Sequence, residues 1–365
     1  MRLLLLTRAF DQRSPRHAFV HGLAGGLAER GHEVTLCAWR GGAPDGAAPY
    51  RLLRYRRPIA RRLVAPEVVA GLLEASGVPR PDAAHAEGLG DAARDLDQWS
   101  RRTGVPWSLR PFESPADVAR LAEVEGEPLL RRALIGADRV IAPNPFLRAQ
   151  LAAAGVRVKR LALVDEPLVP ESPSGIGGLA REASHESTST ATGGGVVLHA
   201  GELEERAGFD VLLEAFEQVH ASRPGARLVI AGAGPERRAL EHSVYAAGLE
   251  SVVELRDTAE TEAADVFVDA ALRVPFGAAA KRGSARGLPL VLSDAGAHPS
   301  LVEDGVDGRL VPAGDPRALA AALLELLGDA ALRERFALAA RQRAATAGWE
   351  RTLDGYAALF EAIAR

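Results

Sequence analysis

Short apolar runs alternate with segments of helical periodicity along most of this 365-residue chain. Residues 2–7 and 33–39 have the length and composition of buried strands. The segment between them spaces its apolar residues as a helix does and ends at Gly31, a common helix terminator. Because parallel strands need long crossovers, this alternation predicts an α/β fold in which helices cover a doubly wound parallel sheet.

A stretch rich in small polar residues, 171–195, interrupts the alternation. Such residues bury too little apolar surface to order a backbone, so we expect a flexible linker there. The strand–helix alternation restarts at residue 196. We therefore predict a Rossmann-like domain at 1–170 and a second one at 196–348, and we expect a terminal helix at 349–365 to pack back towards the first domain.

Composition argues against several classes of protein. The net charge of −4 gives no global positive field for nucleic acid, and the single cysteine, Cys37, excludes a disulfide framework. No group of His, Asp and Glu has metal-ligand spacing, so we expect no metal and no other cofactor. The first apolar run is too short for a signal peptide, and no run reaches transmembrane length. We expect a protein of the bacterial cytoplasm.

Seven landmarks occur in a specific order and spacing, at 30–34, 208–216, 230–235, 287–289, 301–308, 314–316 and Trp349. With these landmarks the chain resembles the GT-B glycosyltransferases, most closely family 4, over nearly its whole length. The resemblance implies two Rossmann-like domains facing a cleft. It also implies retaining transfer of a sugar from a nucleotide-sugar donor to an acceptor.

The segment 274–289 departs from the family at its donor site. Family members carry two glutamates there, eight residues apart, which accept hydrogen bonds from hydroxyls of the donor sugar and ribose. This chain has Val274 and Arg282 at those positions, and neither side chain can accept a hydrogen bond. Lys281 and Arg282 would be able to hold an anion at this helix instead, and the alternative is a solvated basic helix face.

The loop that holds the donor diphosphate in the family is also changed. Its arginine position is Glu202 and its lysine position is Ala207. A carboxylate about 4–6 Å from a phosphate would repel it by roughly 3–4 kcal/mol at an effective dielectric near 20. The neighbouring Arg206 is a candidate replacement, and the alternative is a solvated surface charge.

Other cleft positions differ in the same way. The family's glycine loop after the first strand is replaced by Ser14-Pro15, and proline lacks the N–H that a phosphate would approach. The loop at 13–17 is therefore either a binding loop or a plain surface loop. The donor or anion-binding candidates are Glu202, Arg206, Phe276, Gly277, Lys281, Arg282, His298 and Ser300. The acceptor-side candidates are Arg13, Arg16, His17, His85, Arg110 and Glu113.

These observations leave alternative hypotheses open. The chain is either a glycosyltransferase with a rewired donor site or a catalytically inactive homologue that binds a partner, such as a second glycosyltransferase, or a small ligand. A third hypothesis is a different reaction in the same cleft, with an unusual donor or a nonsugar acceptor. The basic cluster at 51–62 suggests peripheral membrane contact, or equally a solvated loop.

Overall fold

The computed structural model describes residues 1–9, 15–40, 48–54, 66–111, 128–166, 194–257, 263–346 and 348–365. The chain divides into two units. The first comprises Met1–Ser172 and Trp349–Arg365, and the second comprises Pro173–Gly348. Apart from its last two residues, the predicted linker lies outside the described residues.

In the first unit the described residues form a parallel sheet of seven strands. These strands are β1 (Arg2–Ala9), β2 (Glu33–Arg40), β3 (Arg51–Arg54), β4 (Ala83–Glu87), β5 (Trp107–Arg110), β6 (Arg139–Ala142) and β7 (Leu161–Leu163). Their order is β3-β2-β1-β4-β5-β6-β7, which reverses direction between β1 and β4. The crossover helices are α1 (Pro15–Glu29), α2 (Pro66–Ala75), α3 (Asp91–Thr103), α4 (Pro128–Gly136) and α5 (Pro145–Ala153).

The described residues of the second unit form a parallel sheet of six strands. These strands are β8 (Val196–Ala200), β9 (Arg227–Ala231), β10 (Val253–Arg256), β11 (Val266–Asp269), β12 (Leu290–Ser293) and β13 (Gly308–Val311). Their order is β10-β9-β8-β11-β12-β13. The order in which the chain adds strands changes direction between β8 and β11, and we call this point the strand reversal. The helices are α6 (Phe209–Ser222), α7 (Arg237–Ala246), α8 (Ala278–Ala285), α9 (Pro316–Gly328) and α10 (Ala330–Thr346).

The last helix, α11 (Trp349–Ala364), belongs to the first unit. Its Tyr356 and Phe360 are buried in the same apolar cluster as Phe19 of α1. The Oγ1 atom of Thr352 also donates to the carbonyl of Asp165 at 2.8 Å. None of the described helices is long and apolar enough to cross a membrane.

Local sequence explains the main elements. Leucines 3–6 are all buried on β1, because a strand covered on both faces needs apolar residues at consecutive positions. Asp315 starts α9 by accepting hydrogen bonds from the backbone N–H groups of Arg317 and Ala318, as the sequence predicted.

Glycines bring the loops at the carboxyl edge of the second sheet close together. A Cβ atom at Gly208, where φ is 67°, would lie 2.3 Å from the carbonyl oxygen of Ala270. A Cβ atom at Gly232 would lie 1.8 Å from the carbonyl oxygen of Gly201. Only a residue without a side chain fits these two positions, and the loops after β8, β9 and β11 pack backbone to backbone as a result.

Candidate functional site

Buried polar residues mark the strand reversal in the second sheet. His199 lies near the end of β8, and Asp269 and Ser293 are the last residues of β11 and β12. All three side chains are buried. Open parallel sheets bind ligands outside the carboxyl ends of their strands at such a reversal, so this edge is the candidate donor site of the second unit.

Asp269, His298 and Ser293 form one hydrogen-bonded group. The Nε2 atom of His298 lies 3.2 Å from Oδ2 of Asp269, and its Nδ1 atom lies 2.9 Å from the carbonyl oxygen of Ser293. Each ring nitrogen of His298 therefore lies within hydrogen-bonding distance of an oxygen atom of the protein. The hydroxyl of Ser293 donates to the carbonyl of Ala271 at 2.5 Å. The group therefore fastens the loop after β12 to the sheet and presents no nucleophile.

This geometry counts against the prediction that His298 contacts a ligand directly. Its ring is fully buried and both nitrogens are engaged within the protein. Burial by itself would raise the pKa of Asp269, but the hydrogen bond and charge of His298 outweigh it and lower the pKa. Asp269 was missed in the sequence because only the tertiary fold brings it to His298.

His199 is held in one orientation by its surroundings. Its Nδ1 atom lies 3.2 Å from the carbonyl oxygen of Val268. The ring packs edge-on against Phe209 and is stacked with Phe267. The Nε2 atom is buried and has no hydrogen-bond partner among the described residues. Burial, together with the charges of Arg282 and His298, lowers the pKa of His199, although Asp269 and the carbonyl of Val268 act in the opposite direction.

Val274 is part of the protein interior. It packs with Ala271 and Ala297 in a small apolar cluster, and its carbonyl accepts a hydrogen bond from the N–H of Ala297 at 2.7 Å. A buried valine offers no polar group to a ligand. The position therefore contributes packing where the family places a carboxylate.

Arg206 is balanced by carboxylates of its own loop. Its Nη2 atom lies 3.6 Å from Oε2 of Glu202 and makes a closer ion pair with Glu204. The two acids compensate the guanidinium charge, which weakens its attraction for a diphosphate. Ala207, at the family's lysine position, is buried. The geometry thus counts against Arg206 as the replacement phosphate ligand.

The remaining donor-side candidates lie around α8. This helix begins after the buried Gly277, while Phe276, Lys281 and Arg282 are half-buried. Arg282 is close enough to His199 for its charge to lower the pKa of that ring. The hydroxyl of Ser300 is engaged, because it donates to the carbonyl of Ala297 at 2.6 Å. The structure therefore brings α8 to the strand reversal.

The first unit contains a buried charge network at the ends of β4 and β5. The two strands pair His85 with Ser108 and Glu87 with Arg110. His85 contacts Ser108 Oγ through Nδ1 at 2.8 Å and Glu87 Oε1 through Nε2 at 2.9 Å. Arg110 donates from Nε to Glu87 at 2.7 Å and from Nη1 to Glu166 at 2.9 Å. Both acids were missed, although His85 and Glu87 share one face of a strand.

This network counts against the prediction that His85 and Arg110 contact an acceptor. Both side chains are buried, and the guanidinium of Arg110 also lies 3.9 Å from the ring centre of Phe19. Burial alone would raise the pKa of Glu87, but the charge of Arg110 and the hydrogen bond from His85 lower it overall. Burial and the Glu87 carboxylate raise the pKa of Tyr356.

The structure does not describe the side chains of the other acceptor-side candidates. Arg13 and Glu113 lie outside the described residues. Arg16 and His17 belong to the first turn of α1, and their side chains are not among those described. Their roles stay predictions.

Two family models match separate parts of the chain. The model for the glycosyl transferase 4-like domain matches residues 17–165, and the model for glycosyl transferases group 1 matches residues 180–343. The two matches lie one after the other and together span most of the chain.

Curated relatives are up to about a third identical to this chain over the residues that align with it. A phosphatidyl-myo-inositol mannosyltransferase from Mycobacterium leprae is 32% identical over 47% of this chain and 47% of its own length. The chain thus spans about half the length of that relative. A D-inositol 3-phosphate glycosyltransferase from Xylanimonas cellulosilytica is 28% identical over 77% of this chain and 75% of its own length.

Solved structures with the same fold cover nearly the entire chain. HepE from Anabaena, solved in complex with UDP, has a TM-score of 0.73 at 19% identity and covers 99% of this chain and 100% of its own. Sucrose-phosphate synthase from Thermosynechococcus elongatus has a TM-score of 0.73 at 20% identity, and the match covers 99% of this chain and 98% of the synthase chain. The fold and the two family matches agree, and this chain belongs to the group 1 glycosyltransferases of GT-B fold.

Proposed function

We propose that this protein transfers a sugar from a nucleotide-sugar donor to an acceptor hydroxyl. The observation that carries the proposal is that one family model matches within each structural unit, 17–165 in the first and 180–343 in the second. Both parts of a glycosyltransferase are thus represented. HepE, which shares the fold, was solved with UDP and with UDP-glucose.

The donor is proposed to bind at the strand reversal of the second sheet, beside α8. A leaving diphosphate must be stabilised by positive charge or by N–H groups. Arg206 is balanced by Glu202 and Glu204. Lys281 lies in the amino-terminal half of α8, and Arg282 lies in its last turn. Orphan N–H groups at a helix amino terminus add to such a site. We therefore assign the anion contact to α8, and we propose that transfer needs no resident metal.

The acceptor is proposed to be a polyol of the inositol class. Two curated relatives, the phosphatidyl-myo-inositol mannosyltransferase and the D-inositol 3-phosphate glycosyltransferase, carry such an acceptor in their names. Candidate acceptors are therefore myo-inositol, D-inositol 3-phosphate and phosphatidylinositol in vesicles. The vesicle acceptor also tests the predicted peripheral membrane contact.

The test incubates the protein with UDP-, GDP- and TDP-sugars and each acceptor. Nucleoside diphosphate release and the mass of the glycosylated product are then measured. We expect acceptor-dependent release with at least one pair, and loss of release in the double variant Lys281→Ala/Arg282→Ala. Arg238→Ala, which removes an exposed arginine from α7, is the matched control.

If no pair of donor and acceptor gives product, the proposal that this protein is a transferase is contradicted. Saturable donor binding without product would instead support the inactive-homologue hypothesis. That hypothesis was raised by the residues at the donor-site positions, among them Val274, which is buried in an apolar cluster, and Glu202, which pairs with Arg206. Copurification with a second glycosyltransferase would then identify the partner.

A further inference from the structure

We propose that the Nε2 atom of His199 accepts a hydrogen bond from a hydroxyl group of the bound sugar nucleotide. The inference rests on the proposed function, because it assigns a specific contact within the same donor site. The hydroxyl belongs either to the sugar or to the ribose, and both present the same chemistry to the ring.

The first argument is the tautomer of His199. A carbonyl oxygen only accepts hydrogen bonds, so the Nδ1 atom that faces the carbonyl of Val268 at 3.2 Å must carry a proton. Burial favours the neutral ring. In a neutral ring with a proton on Nδ1, the Nε2 atom carries a lone pair and can only accept.

The second argument is that this lone pair lacks a partner. The Nε2 atom is buried and makes no hydrogen bond to any of the residues that the structure describes. An unsatisfied buried polar atom costs about 1–3 kcal/mol, so native proteins normally supply a partner, a water or a ligand. His199 lies on β8 beside the strand reversal, where ligands bind in this fold class.

The third argument is the space beside the ring. A Cβ atom built on Gly201 would lie 3.2 Å from Nε2 of His199 and 3.4 Å from the Cβ atom of Ala279, in the first turn of α8. Two of the smallest residues therefore cover the nitrogen. The nitrogen is buried, so the proposed contact requires the half-buried Gly201 loop to move outward.

The chemistry of the neighbouring positions selects a hydroxyl. Val274 has no acceptor and Arg282 only donates, so hydroxyls near α8 find no carboxylate at these two positions. A phosphate oxygen is itself an acceptor and would repel the lone pair of Nε2. His199 thus supplies the kind of group that a sugar or ribose hydroxyl needs.

A pair of isosteric variants separates the two ring nitrogens. The amide nitrogen of Asn superimposes on Nδ1 of histidine, whereas the amide oxygen of Gln reaches the position of Nε2. His199→Asn keeps the bond to Val268 and removes the acceptor, while His199→Gln keeps an acceptor and removes that bond. The dissociation constants of UDP-glucose and GDP-mannose are measured by calorimetry for both variants, together with their unfolding in urea.

We expect His199→Asn to weaken binding of the better donor by about threefold to tenfold, and His199→Gln to bind more tightly than His199→Asn. Gly201→Ala, which fills the space beside Nε2, should weaken binding as His199→Asn does. The opposite order, with Asn binding as well as the wild type, would overturn the inference and leave a structural histidine with a buried water.

Deoxy analogues identify the hydroxyl. An analogue that lacks the bonded hydroxyl should lose affinity for the wild type and show no further loss in His199→Asn. Analogues lacking 2′- or 3′-hydroxyls test the ribose, and analogues deoxygenated in the sugar ring test the sugar. If every analogue loses the same affinity in both proteins, the contact does not exist.

A ligand-free measurement separates this inference from the proposed function. The ¹⁵N spectrum of the histidine rings, with His199→Gln used for assignment, reports which nitrogen carries the proton. We expect a proton on Nδ1 and none on Nε2. A proton on Nε2 would overturn the inference even if the protein binds sugar nucleotides, whereas failure of both probes to bind the wild type would contradict the proposed function.

Discussion

The Nε atom of Arg110 lies 2.7 Å from Oε2 of Glu87, with both side chains buried at the ends of adjacent strands. The same guanidinium continues to Glu166, and the same carboxylate continues to His85. A charged pair within a sheet core is stable only while each charge has its partner. The candidate acceptor residue Arg110 is therefore first a structural residue.

Replacement of Arg110 by methionine tests this role. The variant leaves Glu87 buried with His85 as its remaining partner, and breaking a buried pair in this way costs about 3–5 kcal/mol. We expect that loss in the free energy of unfolding of the first unit, measured by urea denaturation. Arg351→Ala, an exposed arginine on α11, should change it by less than about 0.5 kcal/mol. Equal effects of the two changes would contradict the network.

Acid should destabilise the second unit through Asp269. Its pKa is lower in the folded protein than in the unfolded chain, so the carboxylate stabilises the fold above about pH 4. That stability is lost as the pH falls through the folded pKa. Asp269→Asn should be less stable at neutral pH and should lose part of this acid dependence in urea titrations. Asp294→Asn, at an exposed position, is the control. If Asp269→Asn loses stability in acid as the wild type does, Asp269 is not the source of the acid dependence.

Two glycines with the same backbone conformation separate strain from steric conflict. Gly208 and Gly248 both have φ of 67°, but a Cβ atom meets the carbonyl of Ala270 at 2.3 Å in the first case and nothing within 4 Å in the second. Alanine at Gly248 should cost about 1–2 kcal/mol for the left-handed conformation. Alanine at Gly208 should cost about 1–3 kcal/mol more. Similar unfolding midpoints for the two variants would show that the loop after β8 is not tightly packed.

The two candidate arginines of the donor site should behave differently. Arg206 is balanced by Glu202 and Glu204, so Arg206→Ala should change donor affinity by less than about threefold. Arg282→Ala should weaken it by about tenfold or more, as expected for loss of a charged contact. Calorimetry with UDP-glucose and GDP-mannose measures both. Undiminished binding in Arg282→Ala would show that Arg282 does not contact the anion.

The strand–helix alternation predicted most of the fold. The strands at 196–200, 227–231 and 308–311 have the predicted ends. The helix α3 was not predicted, although its buried residues Ala92, Leu96 and Trp99 have helical spacing; Asp95 and Asp97 are buried on it as well. Asp97 is paired with arginines of α3 and α4, which the sequence alone does not reveal.

The candidate site was less predictable than the fold. Sequence showed that Val274 and Arg282 cannot accept hydrogen bonds, and this follows from residue type alone. It did not show that Arg206 is paired or that both nitrogens of His298 are engaged. The assignment of a lone pair to Nε2 of His199 depends on the contact between Nδ1 and the carbonyl of Val268, 69 residues away. Such contacts follow from tertiary packing and leave no local pattern.

The central claim is that this chain binds a nucleotide sugar, and a stability titration tests it most directly. The protein is unfolded in urea at increasing concentrations of UDP-, GDP- and TDP-sugars. At least one donor should raise the free energy of unfolding, by about 2.7 kcal/mol at 100 times its dissociation constant. The Lys281→Ala/Arg282→Ala variant should show a smaller rise at the same concentration. No stabilisation by any of these donors would contradict the account.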